Sequence, residues 1–130
     1  MKIVIDTSVI MSVITNESHK KRLIDITKDS SLLAPESLPL EIGNAFSAMF
    51  KQNRLTLEEA RKGLAIFKEI PLRYVRVDFE NSLKIYKQAN LYAYDAYLLE
   101  CAIRNKAPFL TLDRKLKIAA QNLMVKTLEV

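Results

Sequence analysis

The chain has 130 residues, 49% of them hydrophobic and 27% charged, which suits a single globular domain (1–130) with a buried core. One cysteine (Cys101) and one histidine (His19) leave no material for an internal disulfide, a zinc cage or a histidine-based triad. Two glycines, Gly43 and Gly63, both within helical patterns, exclude a glycine-rich phosphate loop, while a net charge of +5 favours polyanionic partners.

Taken in chain order, Ile3-Val4-Ile5 is a β-branched apolar run that predicts a strand buried on both faces. Only three apolar residues separate Lys2 from Asp6, too few for a signal peptide, and no later run is long enough to span a membrane. The expectation is a cytoplasmic protein with no membrane partner. Helical patterning follows from about Ser8, in two pieces broken near Asn16. Ser31–Ala34 reads as a second strand stopped by Pro35. Ser37 is then expected to cap a helix from Leu38 to about Gln52, with Pro39 tolerated in its first turn. Thr56 and Glu59 form a capping box for the next helix, which runs to about Ile70 before Pro71. Tyr74–Val77 predicts a strand, Phe79–Ala89 and Tyr94–Arg104 helices, Phe109–Leu112 a strand, Lys115–Gln121 a short helix and Met124–Leu128 a last strand. Strands alternating with helices define an α/β fold on a central, mostly parallel sheet. Such sheets bind ligands at the carboxyl ends of their strands.

Most of the acids need no special reading, because they sit among lysines and polar residues. Four do. Asp6 ends the first strand just before Thr7 and Ser8, where it either caps the following helix or serves a site. Glu41 lies in the first turn after the second strand, and with Asn44 it heads a face of small residues, Ala45 and Ala48, expected to turn inward. Its plainer reading is a carboxylate favoured by the helix dipole. Asp95 heads a face that continues through Leu98, Leu99, Ala102 and Ile103, a costly place for a carboxylate that is not capping, paired or holding a cation. Asp113 ends the Phe109–Leu112 strand with Thr111 on the same side, and it too is a natural helix cap. A parallel sheet brings all four to one end. Carboxylates that close repel one another, and a divalent cation offsets that repulsion. Oxygen ligands without His or Cys favour Mg²⁺ or Mn²⁺ over zinc. A basic surface around such a pocket is the electrostatic outline of a phosphodiesterase acting on nucleic acid.

IVIDTSVI at Asp6, LEIGNAF at Glu41 and Asn44, YDAYLLECA at Asp95 and APFLTLDRKL at Thr111 and Asp113 resemble, in order and spacing, the motifs of the PIN-domain nucleases, in particular the small VapC-type toxins of toxin–antitoxin pairs. The likeness spans essentially the whole chain. It implies a three-layer α/β/α fold and a ribonuclease in which Asp6, Glu41, Asp95 and Asp113 hold Mg²⁺ or Mn²⁺, directly or through water. Thr7, Ser8, Asn44 and Thr111 become supporting or substrate-orienting groups, and Arg114 and Lys115, beside Asp113, the first choices for contact with RNA phosphates. It also implies a homodimer and a cognate antitoxin, with Phe46, Met49, Phe50 and Leu55 as docking residues if they are not simply core. The family often has glycine in the turn before the last acidic strand. This chain has Asn105-Lys106-Ala107, where asparagine is expected to take the left-handed conformation.

Two other readings share the fold: a housekeeping RNA-processing nuclease, and a PIN domain that binds RNA or protein without cutting. Retention of all four acids argues against the second. Phosphotransfer domains that place an Asp after the first strand fit less well, because the dehalogenase pattern wants a second Asp where Ser8 stands.

Overall fold

The structure, a computed structural model, describes residues 1–130. Its elements run β1 (Lys2–Ile5), α1 (Thr7–Ile14), α2 (Lys20–Thr27), β2 (Ser31–Pro35), α3 (Leu38–Lys51), α4 (Leu57–Glu69), β3 (Leu72–Val75), α5 (Phe79–Ala89), α6 (Ala93–Asn105), β4 (Phe109–Leu110) and α7 (Arg114–Asn122). The four strands are all parallel, in the order β3-β2-β1-β4. The chain lays down β1, β2 and β3 outward in one direction and returns to the other side of β1 for β4. Between β1 and β4 the order reverses, the position at which parallel sheets commonly bind ligands beyond the carboxyl ends of their strands.

Alternation along β1 makes the three layers. Ile3 and Ile5 point into a core shared with Val9, Ile10 and Ile14 of α1 and Leu38 and Ile42 of α3. Val4 points the other way, into a core built with Leu98, Leu99 and Ala102 of α6 and Leu116 and Ala120 of α7. α4 packs on α1, where a side chain at Gly63 would put its Cβ 3.3 Å from the Ile14 carbonyl oxygen. α5 lies on α6 through aromatic edges, with Tyr97 meeting Phe79, Tyr86 and Tyr94 at centroid separations of 5.8, 6.2 and 6.2 Å. No helix is long and apolar enough to cross a membrane.

Several boundaries differ from expectation for identifiable reasons. The third strand starts at Leu72, not Tyr74, because its register pairs Leu32 with Leu72 and Pro35 with Val75. Beyond Val75 the Val77 N–H donates to the Glu36 carboxylate instead of a strand. The fourth strand ends at Leu110. Past it, the Leu112 and Asp113 N–H groups donate to the hydroxyls of Ser8 and Thr111, so side chains replace the ladder. The last expected strand, Met124–Leu128, is reduced to one parallel bridge between Phe109 and Thr127. The turn after α6 survives without glycine, but Lys106, at φ 51°, takes the left-handed position. Asn105 stays helical and donates from Nδ2 to the Cys101 carbonyl. A lysine there costs about 1–2 kcal/mol. On α3 the buried residues are Leu38 and Ile42, with Phe46 and Met49 packed against the same core. That stripe is one step around the helix from Asn44 and Ala48, which are exposed. Of the small residues expected to turn inward only Ala45 packs against that core, and Ser37, the expected cap, makes no side-chain bond to the helix. Phe50 is 38% exposed, so of the expected docking residues it is the one that presents itself most.

Candidate active site

Asp6 is both cap and site residue. Its Oδ1 accepts from the Ser8 hydroxyl at 2.7 Å and from the Val9 N–H at 3.1 Å, capping α1, while Oδ2 accepts from the Thr111 hydroxyl. Ser8 and Thr111 bind the ends of β1 and β4 together. The Ser8 hydroxyl also receives the Leu112 N–H at 2.9 Å, and the Thr111 hydroxyl receives the Asp113 N–H at 3.0 Å. Asp6 is only 3% exposed. Burial pushes its pKa up to about 6 even though three donors pull it down, and the neighbouring Asp113 adds repulsion. A short polar staple between two strand ends thus fixes a carboxylate that ionises reluctantly.

Glu41 enters from the first turn of α3, half-buried. Burial, then repulsion from Asp95 and Asp6, lifts its pKa to about 7. The Thr7 hydroxyl is near enough to draw that value down, but its geometry falls short of a hydrogen bond. It is buried without any other partner. Asp95 enters from the first turn of α6, also half-buried, and burial followed by Asp113 raises its pKa. Asp113 is exposed and caps α7, its Oδ1 accepting the Lys115 and Leu116 N–H groups at 3.0 and 3.2 Å.

The repulsions close a ring: Asp6 with Asp113, Asp113 with Asp95, Asp95 with Glu41, and Glu41 with Asp6. Each of the four acids thus has two of the others as charged neighbours. No three stand close enough, as placed, to hold one ion between them. That suits Mg²⁺, which keeps several waters and takes one or two carboxylates directly. The donor set fits in kind as well: hard oxygens whose charge the fold disfavours, with an unpartnered buried hydroxyl beside Glu41. Asp6, Glu41, Asp95 and Asp113 are the residues that would hold such an ion, which would supply charge neutralisation at a phosphate.

Asn44 is exposed on α3 one turn beyond Glu41, so it faces solvent and anything bound there. Of the basic pair beside Asp113, only Arg114 lines the adjoining groove, of ≈ 540 Å³, and Lys115 lies outside it. Lys117, which the sequence shows only as part of the basic cluster Arg114-Lys115-Lys117, shares that groove with Gln121 and His19, which sequence reasoning missed. Their signal was half legible, since positions 114, 117 and 121 fall on one face of a helix. Sequence reasoning also passed over a fifth acid, Glu100, which is 3% exposed and held by Arg104 at 2.9 and 3.0 Å. That carboxylate is structural and sits away from the ring. Cys101 is buried, and its surroundings push the thiol up to about 12, so it is inert.

A three-layer α/β/α fold on a parallel sheet, with carboxylates following its strands, defines the class of protein. Within it, residues 3–122 match the family model of the PIN domain, and the chain belongs to that family, whose members are nucleases. No curated protein matches it in sequence. Among solved structures it is similar to PAE2754 from Pyrobaculum aerophilum, at 17% identity and a TM-score of 0.73, covering 98% of this chain and 83% of that one. VapBC2 from Rickettsia felis, solved bound to a DNA fragment from its promoter, is similar at 14% identity and a TM-score of 0.68, covering 98% of each chain. The sarcin-ricin loop cleaving toxin VapC20 of Mycobacterium tuberculosis is similar at 12% identity and a TM-score of 0.65, covering 90% of this chain and 94% of that one. At these identities the likeness is one of fold.

Proposed function

We propose that the protein is a metal-dependent endoribonuclease that hydrolyses RNA phosphodiester bonds at the ring of Asp6, Glu41, Asp95 and Asp113, and that it is the toxin of a toxin–antitoxin pair. The observation that carries the chemistry is Asp6: a carboxylate buried at the end of β1, held by three donors, and repelled by Asp113 and Glu41. Folding would avoid such an arrangement unless a cation returned the energy. Mg²⁺ or Mn²⁺ bound there would neutralise charge on the phosphate and make a nearby water more acidic. The protein's part is positional. Ser8 and Thr111 hold both oxygens of Asp6 in place, Thr7 and Asn44 flank Glu41, and Arg114 supplies positive charge beside Asp113.

The toxin reading is supported by its structural neighbours. Two are named as VapBC2 and as the sarcin-ricin loop cleaving toxin VapC20, and a third is a toxin–antitoxin complex from Klebsiella pneumoniae. By that analogy the chain is restrained by an antitoxin, and we propose that it acts as a homodimer. Incubating a mixed RNA pool with Mg²⁺ or Mn²⁺ tests the chemistry. Wild type should cut, Asp6→Asn and Asp95→Asn should lose at least a hundredfold, and excess EDTA should stop cleavage. Equal cutting by all three proteins, or cutting that survives EDTA, overturns the proposal.

A further inference from the structure

Resting on that nuclease reading, we propose that the groove running from Asp113 along α7 to His19 is the subsite for the RNA strand flanking the scissile phosphate. Arg114 and Lys117 hold backbone phosphates there, and His19 and Gln121 contact ribose or base edges. The groove is continuous with the acid ring, because Thr111 and Asp113 form its inner end. Its lining is mostly polar and carries Arg114 and Lys117 together with the acids Asp113 and Glu129, and Arg114, Lys117 and Gln121 follow one another at i, i+3 and i+7 along a single stripe of α7. That stripe extends for about 10 Å at 1.5 Å per residue, enough to follow a few nucleotides.

The charges on α7 are sorted by face. Lys115 lies outside the groove, whereas Arg114 and Lys117 line it. His19 arrives from the turn before α2, where its side chain makes no capping bond, so its ring is free to donate or accept. Lys117 is already fixed, three-quarters buried and paired with the exposed Glu129 at 2.8 Å. A phosphate reaching Lys117 must compete with Glu129. Removing the Glu129 charge should therefore strengthen RNA binding, whereas a purely structural pair would give no such gain.

Fluorescence anisotropy with a labelled, mixed-sequence single-stranded RNA, over a series of salt concentrations and with EDTA to prevent cutting, tests this on the full chain. Arg114→Ala with Lys117→Ala should weaken binding at least tenfold and lower the slope of log Kd against log salt by about 1.4, at about 0.7 per phosphate contact. Lys115→Ala should stay within twofold of wild type, and Glu129→Gln should bind two- to threefold tighter. In cleavage with Mg²⁺, Lys117→Ala, one helical turn farther from the acids, should raise KM far more than it lowers kcat. Arg114→Ala alone and Glu129→Gln keep the test open if the double variant folds poorly. Wild-type binding by the double variant, an equal loss in Lys115→Ala, or weaker binding by Glu129→Gln overturns the subsite. If wild type cuts RNA and the variants do not differ, only the groove assignment fails. If wild type neither binds nor cuts RNA, the nuclease reading fails first.

Discussion

Replacing Asp6 by asparagine should disable the site and at the same time stabilise the fold. The carboxyl ionises near pH 3.8 when free and near pH 6 in the folded protein, where burial disfavours its charge. Below pH 4 both states are protonated and the group is neutral in its effect. Between those values the unfolded chain gives up its proton first, so stability falls as pH rises through the window. At pH 7 the accumulated penalty is about 3 kcal/mol, at 1.36 kcal/mol for each pH unit separating the two values. Asparagine carries no charge and retains an oxygen for Ser8 and Val9, but its amide meets the Thr111 hydroxyl, which must turn to accept. Allowing about 1 kcal/mol for that rearrangement leaves a gain of about 2 kcal/mol, or roughly 8 °C in Tm. Urea unfolding in EDTA from pH 4 to 8 checks it. The advantage of Asp6→Asn should be largest at pH 7 and above and fade toward pH 4. A variant less stable than wild type at pH 7, or a difference independent of pH, would refute the reasoning.

The same acids set the pH dependence of activity. Asp6 near 6 and Glu41 near 7 must both ionise to hold a cation, so kcat/KM at low Mg²⁺ should climb between pH 5 and 8. Raising Mg²⁺ should move the climb to lower pH, because cation and protons compete; pH–rate profiles at two Mg²⁺ concentrations test this, and an unmoved midpoint counts against it. Thr111→Val removes a donor from Asp6 and the acceptor of the Asp113 N–H, so kcat/KM should drop ten- to a hundredfold, with Thr111→Ser recovering most of it. Arg104→Ala strands the buried Glu100 and should cost about 2 kcal/mol in urea unfolding, less than a fully buried pair because Arg104 is partly exposed. Its cleavage rate per folded molecule should not change.

The sheet and the acid ring were largely legible in the sequence because local signals agreed with the topology. A β-branched run ending in Asp-Thr-Ser predicts a strand, a cap and a helix at once, and parallel strands leave such ends on one side. Asp6 and Asp113 are indeed caps, as their plainer reading had it, and the ring incorporates them without displacing that role. What escaped depends on partners distant in sequence. His19 meets α7 only in the folded chain. Fourth-strand pairing stops two residues early because Ser8, about a hundred residues away, takes over the Leu112 N–H. On α6 the expected apolar face included Ile103, which is 45% exposed, whereas Glu100 is buried. That helix is covered on one side by the sheet and on another by α5, so its buried arc is wider and rotated from the one Asp95 heads. The i, i+4 spacing of Glu100 and Arg104 was visible all along, but the pattern alone does not say that the pair is buried.

The central claim is that one cation site, made by the acid ring, does the cutting. Titrating the protein with Mn²⁺, with bound metal followed by electron paramagnetic resonance and RNA cleavage in the same samples, tests it most directly. Cleavage should rise in step with Mn²⁺ occupancy in wild type, and Asp6→Asn should lose both. Cleavage without bound Mn²⁺, or an Asp6→Asn variant that binds and cuts as wild type does, would contradict it.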